Sequence, residues 1–125
     1  LGAQREDPSQ LEPYESAFAA IENDPNNQLL VGEEDRVLGV LQLTFVPGLT
    51  YQGGWRAQIE GVRVHSEARS RGIGRKLVRH AIELAVLRGC RMVQLTTDSG
   101  RPDALRFYES LGFVASHQGM KLHLD

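Results

Sequence analysis

The chain has 125 residues, read as one domain over 1–125, and its 41% hydrophobic and 24% charged content excludes a disordered polar chain. Its single cysteine, Cys90, excludes an internal disulfide and fits a reducing compartment; with no signal-peptide pattern or membrane-length apolar run, the cytoplasm is expected and no membrane partner. The net charge of −2 hides a division: residues 1–60 hold ten acids and three bases, and residues 61–125 hold six acids and eleven bases.

Residues 1–10 are polar and patternless. Leu11, Tyr14, Phe18 and Ile21 fall near helical spacing, which predicts a helix over 11–22 with one apolar stripe. Asp24-Pro25-Asn26-Asn27 stops it. Residues 28–34 and 36–46 predict two strands joined by Glu33-Glu34-Asp35. The second is apolar on most of both faces, which predicts a central strand with a bulge at Gly39. Residues 49–54 predict a loop, where Tyr51 and the nearby Trp55 either pack at a strand edge or rim a substrate site.

Residues 55–65 predict a third strand. Ile59 and Gly61 share one face, Val62 and Val64 the other, so the alternation breaks at Glu60-Gly61 and predicts a β-bulge. Glu60 then lies within an apolar strand. A carboxylate there is either ion-paired, with Arg56, Arg63 or Arg106, or tuned to accept a proton. Residues 73–88 predict a strongly amphipathic helix ended by Gly89, and 90–96 a strand. Strand, helix and strand with short connections predict a parallel pair. Cys90 opens that strand as a core residue. A last helix runs from Pro102 to Leu111 and is ended by Gly112. Residues 113–117 and 120–124 predict a closing hairpin. The fold class is α/β of the α+β kind: a mixed sheet flanked by helices.

Arg69-Ser70-Arg71-Gly72-Ile73-Gly74-Arg75-Lys76 joins the third strand to the amphipathic helix. Five of the fourteen Lys and Arg residues fall within 69–79. A helix start has backbone N–H groups without internal partners and the positive end of its dipole, so this turn suits an anion. A P-loop would need glycine at 70 and Ser or Thr after Lys76. A dinucleotide turn would need glycine at Leu77. Neither pattern is met.

What remains is Arg69-x-x-Gly72-x-Gly74, led in by Val62-Arg63-Val64. Ala104, Phe107-Tyr108 and Gly112-Phe113 follow. These residues, over roughly 10–125, resemble the GNAT superfamily of N-acetyltransferases. The resemblance implies a mostly antiparallel sheet whose one parallel strand pair splays apart, with acetyl-CoA in the gap. It implies that Val62, Arg63 and Val64 line the pantetheine arm, and that the backbone of Ser70, Arg71, Gly72, Ile73, Gly74 and Arg75 holds the pyrophosphate. Arg69, Arg71, Arg75 and Lys76 would add charge, and Ala104 and Phe107 would complete the cofactor-binding set. Tyr108 would be the general acid and Glu60 the base. The family's Asn three residues before the alanine is here Arg101. Its usual first strand and helix are absent ahead of residue 11, so an N-terminally incomplete sequence is expected.

The activity so implied is acetyl transfer from acetyl-CoA to a primary amine through a tetrahedral intermediate. The acidic half favours a small cationic acceptor. The alternative is a non-catalytic acetyl-CoA sensor. The four histidines do not cluster with carboxylates, so no metal is expected. The basic turn lacks interleaved aromatics, so no nucleic acid is expected. The C-terminal strands could pair two subunits into a homodimer.

Overall fold

Strand β2 (Val37–Val46) carries the core, because every second side chain from Leu41 to Phe45 is buried on one face. The computed structural model describes residues 9–125; residues 1–8, most of the polar opening stretch, lie outside the described residues. Helix α1 (Leu11–Glu22) and β1 (Asn27–Glu33) precede β2. After it come a one-turn element α2 (Thr50–Gly53), β3 (Arg56–Val64), a 3-10 turn (Ser66–Arg71), helix α3 (Ile73–Leu87), β4 (Met92–Gln94) and α4 (Pro102–Ser110).

The sheet runs β1-β2-β3-β4. Its first three strands are antiparallel, and β3 and β4 are parallel. The parallel pairing covers only Arg56↔Met92, Ala57↔Val93 and Gln58↔Gln94. The strand expected to reach Thr96 ends at Gln94, while β3 continues to Val64 with no strand on that side among the described residues. The expected splay is therefore present.

Helix α3 covers the core face with Ile73, Leu77, Val78, Ala81 and Ala85, packed on Leu41, Leu43, Phe45, Ala57 and Ile59. Burying each of the large side chains contributes about 1.5–3 kcal/mol. The expected bulge at Gly39 lies one residue earlier: Gly39 pairs regularly with Gly32, and the register slips at Leu38 before Glu33↔Val37. Gly39 has a different use. A Cβ there would lie 2.9 Å from Leu77 Cδ1 and 3.0 Å from Ile73 Cγ2; at Gly32 it would lie 2.8 Å from Ile73 Cγ2. Two small residues side by side let the start of α3 settle onto the sheet.

Two other expectations change. The hairpin over 113–117 and 120–124 does not form, so the sheet has four strands among the described residues. Met120, Leu122 and Leu124 stay 86–93% exposed. Their alternation finds no third strand or core to stabilise it. The apolar stripe of α1 is not buried either: Leu11, Tyr14 and Phe18 are exposed. The loop after β2 contains a left-handed turn, with φ of 53° at Tyr51 and 60° at Gln52. Such a conformation costs about 1–2 kcal/mol per non-glycine residue. Arg91 braces it, donating from its backbone N–H to the Trp55 carbonyl at 2.7 Å and from its guanidinium to the Tyr51 carbonyl at 3.2 Å.

Candidate active site

The bulge expected in β3 is present and sorts its side chains. Register passes from Gln42↔Glu60 to Val40↔Arg63, so Gly61 and Val62 together oppose Leu41. Gly61 takes φ 62°, a left-handed conformation that favours glycine. Val62 and Val64 thereby pack on the core, while Glu60 and Arg63 are exposed.

The strand then turns into α3. His65 donates its backbone N–H to the Leu38 carbonyl at 2.7 Å, and its Nδ1 accepts from the Glu67 N–H at 3.2 Å. This anchors the 3-10 turn that holds Arg69, Ser70 and Arg71. Gly72 enters the left-handed region at φ 76° and starts the helix. The first rung of α3 is Lys76 N–H to the Gly72 carbonyl at 3.0 Å, and no side chain caps the end. The N–H groups of Ile73, Gly74 and Arg75 precede that rung, as the first N–H groups of a helix do, and face where an anion is stabilised. Gly74 is needed for contact: a Cβ there would sit 3.3 Å from Val64 Cγ2 and 3.7 Å from Phe107 Cζ.

Helix α4 is fastened to this corner. Arg75 Nη1 donates to Ser110 Oγ at 3.0 Å, and Ser110 Oγ donates to the Phe107 carbonyl at 2.6 Å. Val64, Gly74, Arg75 and Phe107, spread over 44 residue numbers, therefore meet in one place. Ala104 lies half-buried one turn earlier on α4. The Tyr108 ring stands edge-on to Phe107 at 5.0 Å and to Phe113 at 5.8 Å. Burial pushes its phenol up from the ordinary value, partly opposed by the charge of Arg101. The hydroxyl makes no hydrogen bond with the described residues.

The basic residues divide. Arg71 reaches back to Glu34 at 3.0 Å, and Arg63 Nη1 donates to the Val62 carbonyl at 3.0 Å. Arg69 and Lys76 are exposed. Glu60 departs from the apolar setting expected of it: it is exposed on the face opposite buried Ala57 and Ile59. It makes no ion pair with Arg56, Arg63 or Arg106, and Arg106 is paired with Asp103. Burial pushes the Cys90 thiol up, against the charge of Arg88, which disfavours a thiolate there.

Three residues outside the expected set of catalytic and cofactor-binding residues adjoin this site. Arg101 acts electrostatically on Tyr108. Gln58 and Gln94 form the last rung before β3 and β4 part, with Gln94 Nε2 donating to Gln58 Oε1 at 2.6 Å. Their signal was a glutamine between apolar neighbours, Ala57 and Ile59 in one strand, Val93 and Leu95 in the other. A cavity of about 410 Å³ lies between β1 and α3, lined among others by Leu29, Leu77 and His80, and by Arg71, Ile73 and Lys76, so it adjoins the start of α3 on the side away from the splay.

Comparison with known proteins agrees with this geometry: the model of the acetyltransferase (GNAT) family matches residues 2–113. The chain belongs to the GNAT acetyltransferase family. A solved structure from Bacillus halodurans, described as a transcriptional regulator, is 56% identical and superposes with a TM-score of 0.92, covering 99% of this chain and 85% of that one. A glucosamine 6-phosphate N-acetyltransferase of Trypanosoma brucei brucei is 34% identical over 71% of this chain, which spans 58% of that protein. An aminoalkylphosphonate N-acetyltransferase of Salmonella typhimurium is 31% identical over 83% of this chain and 68% of its own length. No helix among the described residues of this GNAT chain is long and apolar enough to cross a membrane.

Proposed function

We propose that the chain transfers the acetyl group of acetyl-CoA to a small cationic primary amine. The observation that carries this is the edge of β3 from Ile59 to Val64, unpaired among the described residues and joined by the 3-10 turn to the uncapped start of α3. An extended pantetheine arm can pair with a free strand edge through backbone groups alone. The cradle fits a pyrophosphate: a Cβ built on Gly72 meets nothing within 4 Å, so the space beyond the turn is open. In this reading Val62, Arg63 and Val64 line the arm, residues 70–75 hold the pyrophosphate, and Arg69 and Lys76 add charge.

Two groups of this chain serve the chemistry. Glu60 takes a proton from the incoming ammonium, directly or through water, so that the amine nitrogen can attack the thioester carbonyl carbon. As the carbon–sulfur bond breaks, Tyr108 gives its proton to the departing sulfur and is recharged by the second proton lost from the nitrogen. The phenol holds its proton at neutral pH, as a donor to the sulfur must before the bond breaks. The names of the trypanosomal and Salmonella relatives, both referring to amine-bearing acceptors, support the substrate class.

The Bacillus halodurans relative favours a second reading, an acetyl-CoA sensor without turnover. Acetyl-CoA consumption measured against an amine panel, alongside calorimetric titration with coenzyme A, decides between them. Turnover supports the enzyme. Binding without turnover of any amine supports the sensor. An absence of coenzyme A binding overturns both.

A further inference from the structure

The sheet face opposite the buried side chains of β2 and β3 carries a row of polar, half-buried side chains, and their hydrogen bonds are completed at one end only. At the outer end Asn27 Oδ1 accepts from Thr44 Oγ1 at 2.6 Å and from Gln42 Nε2 at 3.0 Å, and Asn27 Nδ2 donates to Asp24 at 2.7 Å. Asn27 pairs across to Thr44, Thr44 to Gln58, and Gln58 to Gln94, so the row crosses all four strands. At the inner end, where β3 and β4 part, the single bond from Gln94 Nε2 to Gln58 Oε1 uses one half of each amide. The Gln58 amide N–H pair and the Gln94 carbonyl make no bond with the described residues. The Gln42 carbonyl is likewise unclaimed, and all three residues are half-buried rather than open to solvent. Glu60 lies directly across from Gln42 and two residues beyond Gln58 on the same face.

We propose that Gln58, held in place by Gln94, selects acceptor amines that carry a hydroxyl close to the amino group. This rests on the acetyltransferase reading above. One donor and one acceptor, left by two amides bonded to each other, are what a single hydroxyl satisfies: its oxygen accepts from Gln58 and its proton goes to Gln94. Residues two apart on a strand are about 7 Å apart along it, so an ammonium on Glu60 and a hydroxyl on Gln58 belong to one small molecule. A plain alkylamine would cover both amide groups with carbon and leave them unpaired. That discriminates against it by about tenfold or more.

The test compares kcat/KM for matched pairs, ethanolamine against propylamine and glucosamine against cyclohexylamine, in the parent chain and in Gln58→Leu and Gln94→Leu. Coenzyme A affinity is followed in each as a check on folding. The parent is expected to prefer the hydroxylated member of each pair by about tenfold or more. Each variant is expected to bring that ratio close to one, mainly by raising KM for the hydroxylated member. If Gln58→Leu fails to fold, Gln94→Leu carries the test, because it removes the acceptor without touching β3. Equal parent rates within each pair overturn this proposal and leave the enzyme reading standing. So does a ratio that persists in the folded variants. Coenzyme A binding with no turnover of any amine overturns both.

Discussion

The two ends of the splay are built from different materials. The donor end is made of backbone and close packing: a bulge, an uncapped helix start, and glycines that let Ile73, Leu77, Val64 and Phe107 approach. The acceptor end is made of side chains on the sheet face opposite the buried side chains of β2 and β3, where Gln42, Gln58, Glu60 and Gln94 stand among half-filled hydrogen bonds. In the proposed reading, one end would hold a fixed ligand through geometry that few sequences permit. The other end rests on single side-chain hydrogen bonds, such as the one between Gln94 and Gln58.

That contrast predicts separable effects. Tyr108→Phe is expected to lower kcat about 10²–10⁴-fold and leave coenzyme A affinity unchanged, because the ring keeps its edge-on contacts with Phe107 and Phe113. Steady-state kinetics with calorimetric titration checks this, and an equal loss of binding would show that the two ends are not separable. Gly74→Val is expected to do the reverse. Its Cβ would crowd Val64 Cγ2 at 3.3 Å and push α3 from β3. Overpacking of this kind costs about 1–3 kcal/mol, so a lower melting temperature and about tenfold or greater loss of coenzyme A affinity should appear together.

Alkaline pH offers a gentler probe of Tyr108. Its folded-state pKa is raised, so the stability linked to its proton is complete below the ordinary tyrosine value of about 10 and is lost as pH rises through the folded value. Melting temperatures between about pH 9 and 11.5 should therefore fall less steeply in Tyr108→Phe than in the parent. The same sign applies to Cys90, whose thiol is also raised by burial. Parallel slopes in parent and variant would show that the phenol is not desolvated.

The same division explains what could be read in the sequence. Helix α1, the three antiparallel strands, α3 and α4 follow from local periodicity and glycine ends, and the bulge from a break in alternation at Glu60-Gly61. Gly72 and Gly74 were legible because a left-handed turn and a close helix contact constrain their own residues. The closing hairpin was misread because alternation in Met120, Leu122 and Leu124 signals a strand only where another element covers one face. Gly39 was misread because local pattern shows a missing side chain but not the helix that fills its place. Glu60 was placed in apolar surroundings because its neighbours in sequence, Ala57 and Ile59, face the other way. Gln58 and Gln94 gain meaning only once a parallel register sets them opposite each other.

The charge division supplies the smallest effect and the sharpest limit on the contrast. The acidic first half favours a cationic acceptor, and the basic turn of the second half suits an anion. Part of that asymmetry is used inside the molecule: Glu34 holds Arg71 at 3.0 Å, and Arg36 pairs with Glu67. Both pairs are exposed, so each contributes about 0–1 kcal/mol and less in high salt. Glu34→Gln should therefore leave the melting temperature nearly unchanged. It also releases Arg71 beside the turn at Gly72 and Gly74. If Arg71 then serves the donor, coenzyme A should bind a few-fold tighter, and the gain should shrink as salt is raised. If binding weakens instead, the pair acts by holding the 3-10 turn in shape, and the acidic half is part of the donor site rather than only of the acceptor's.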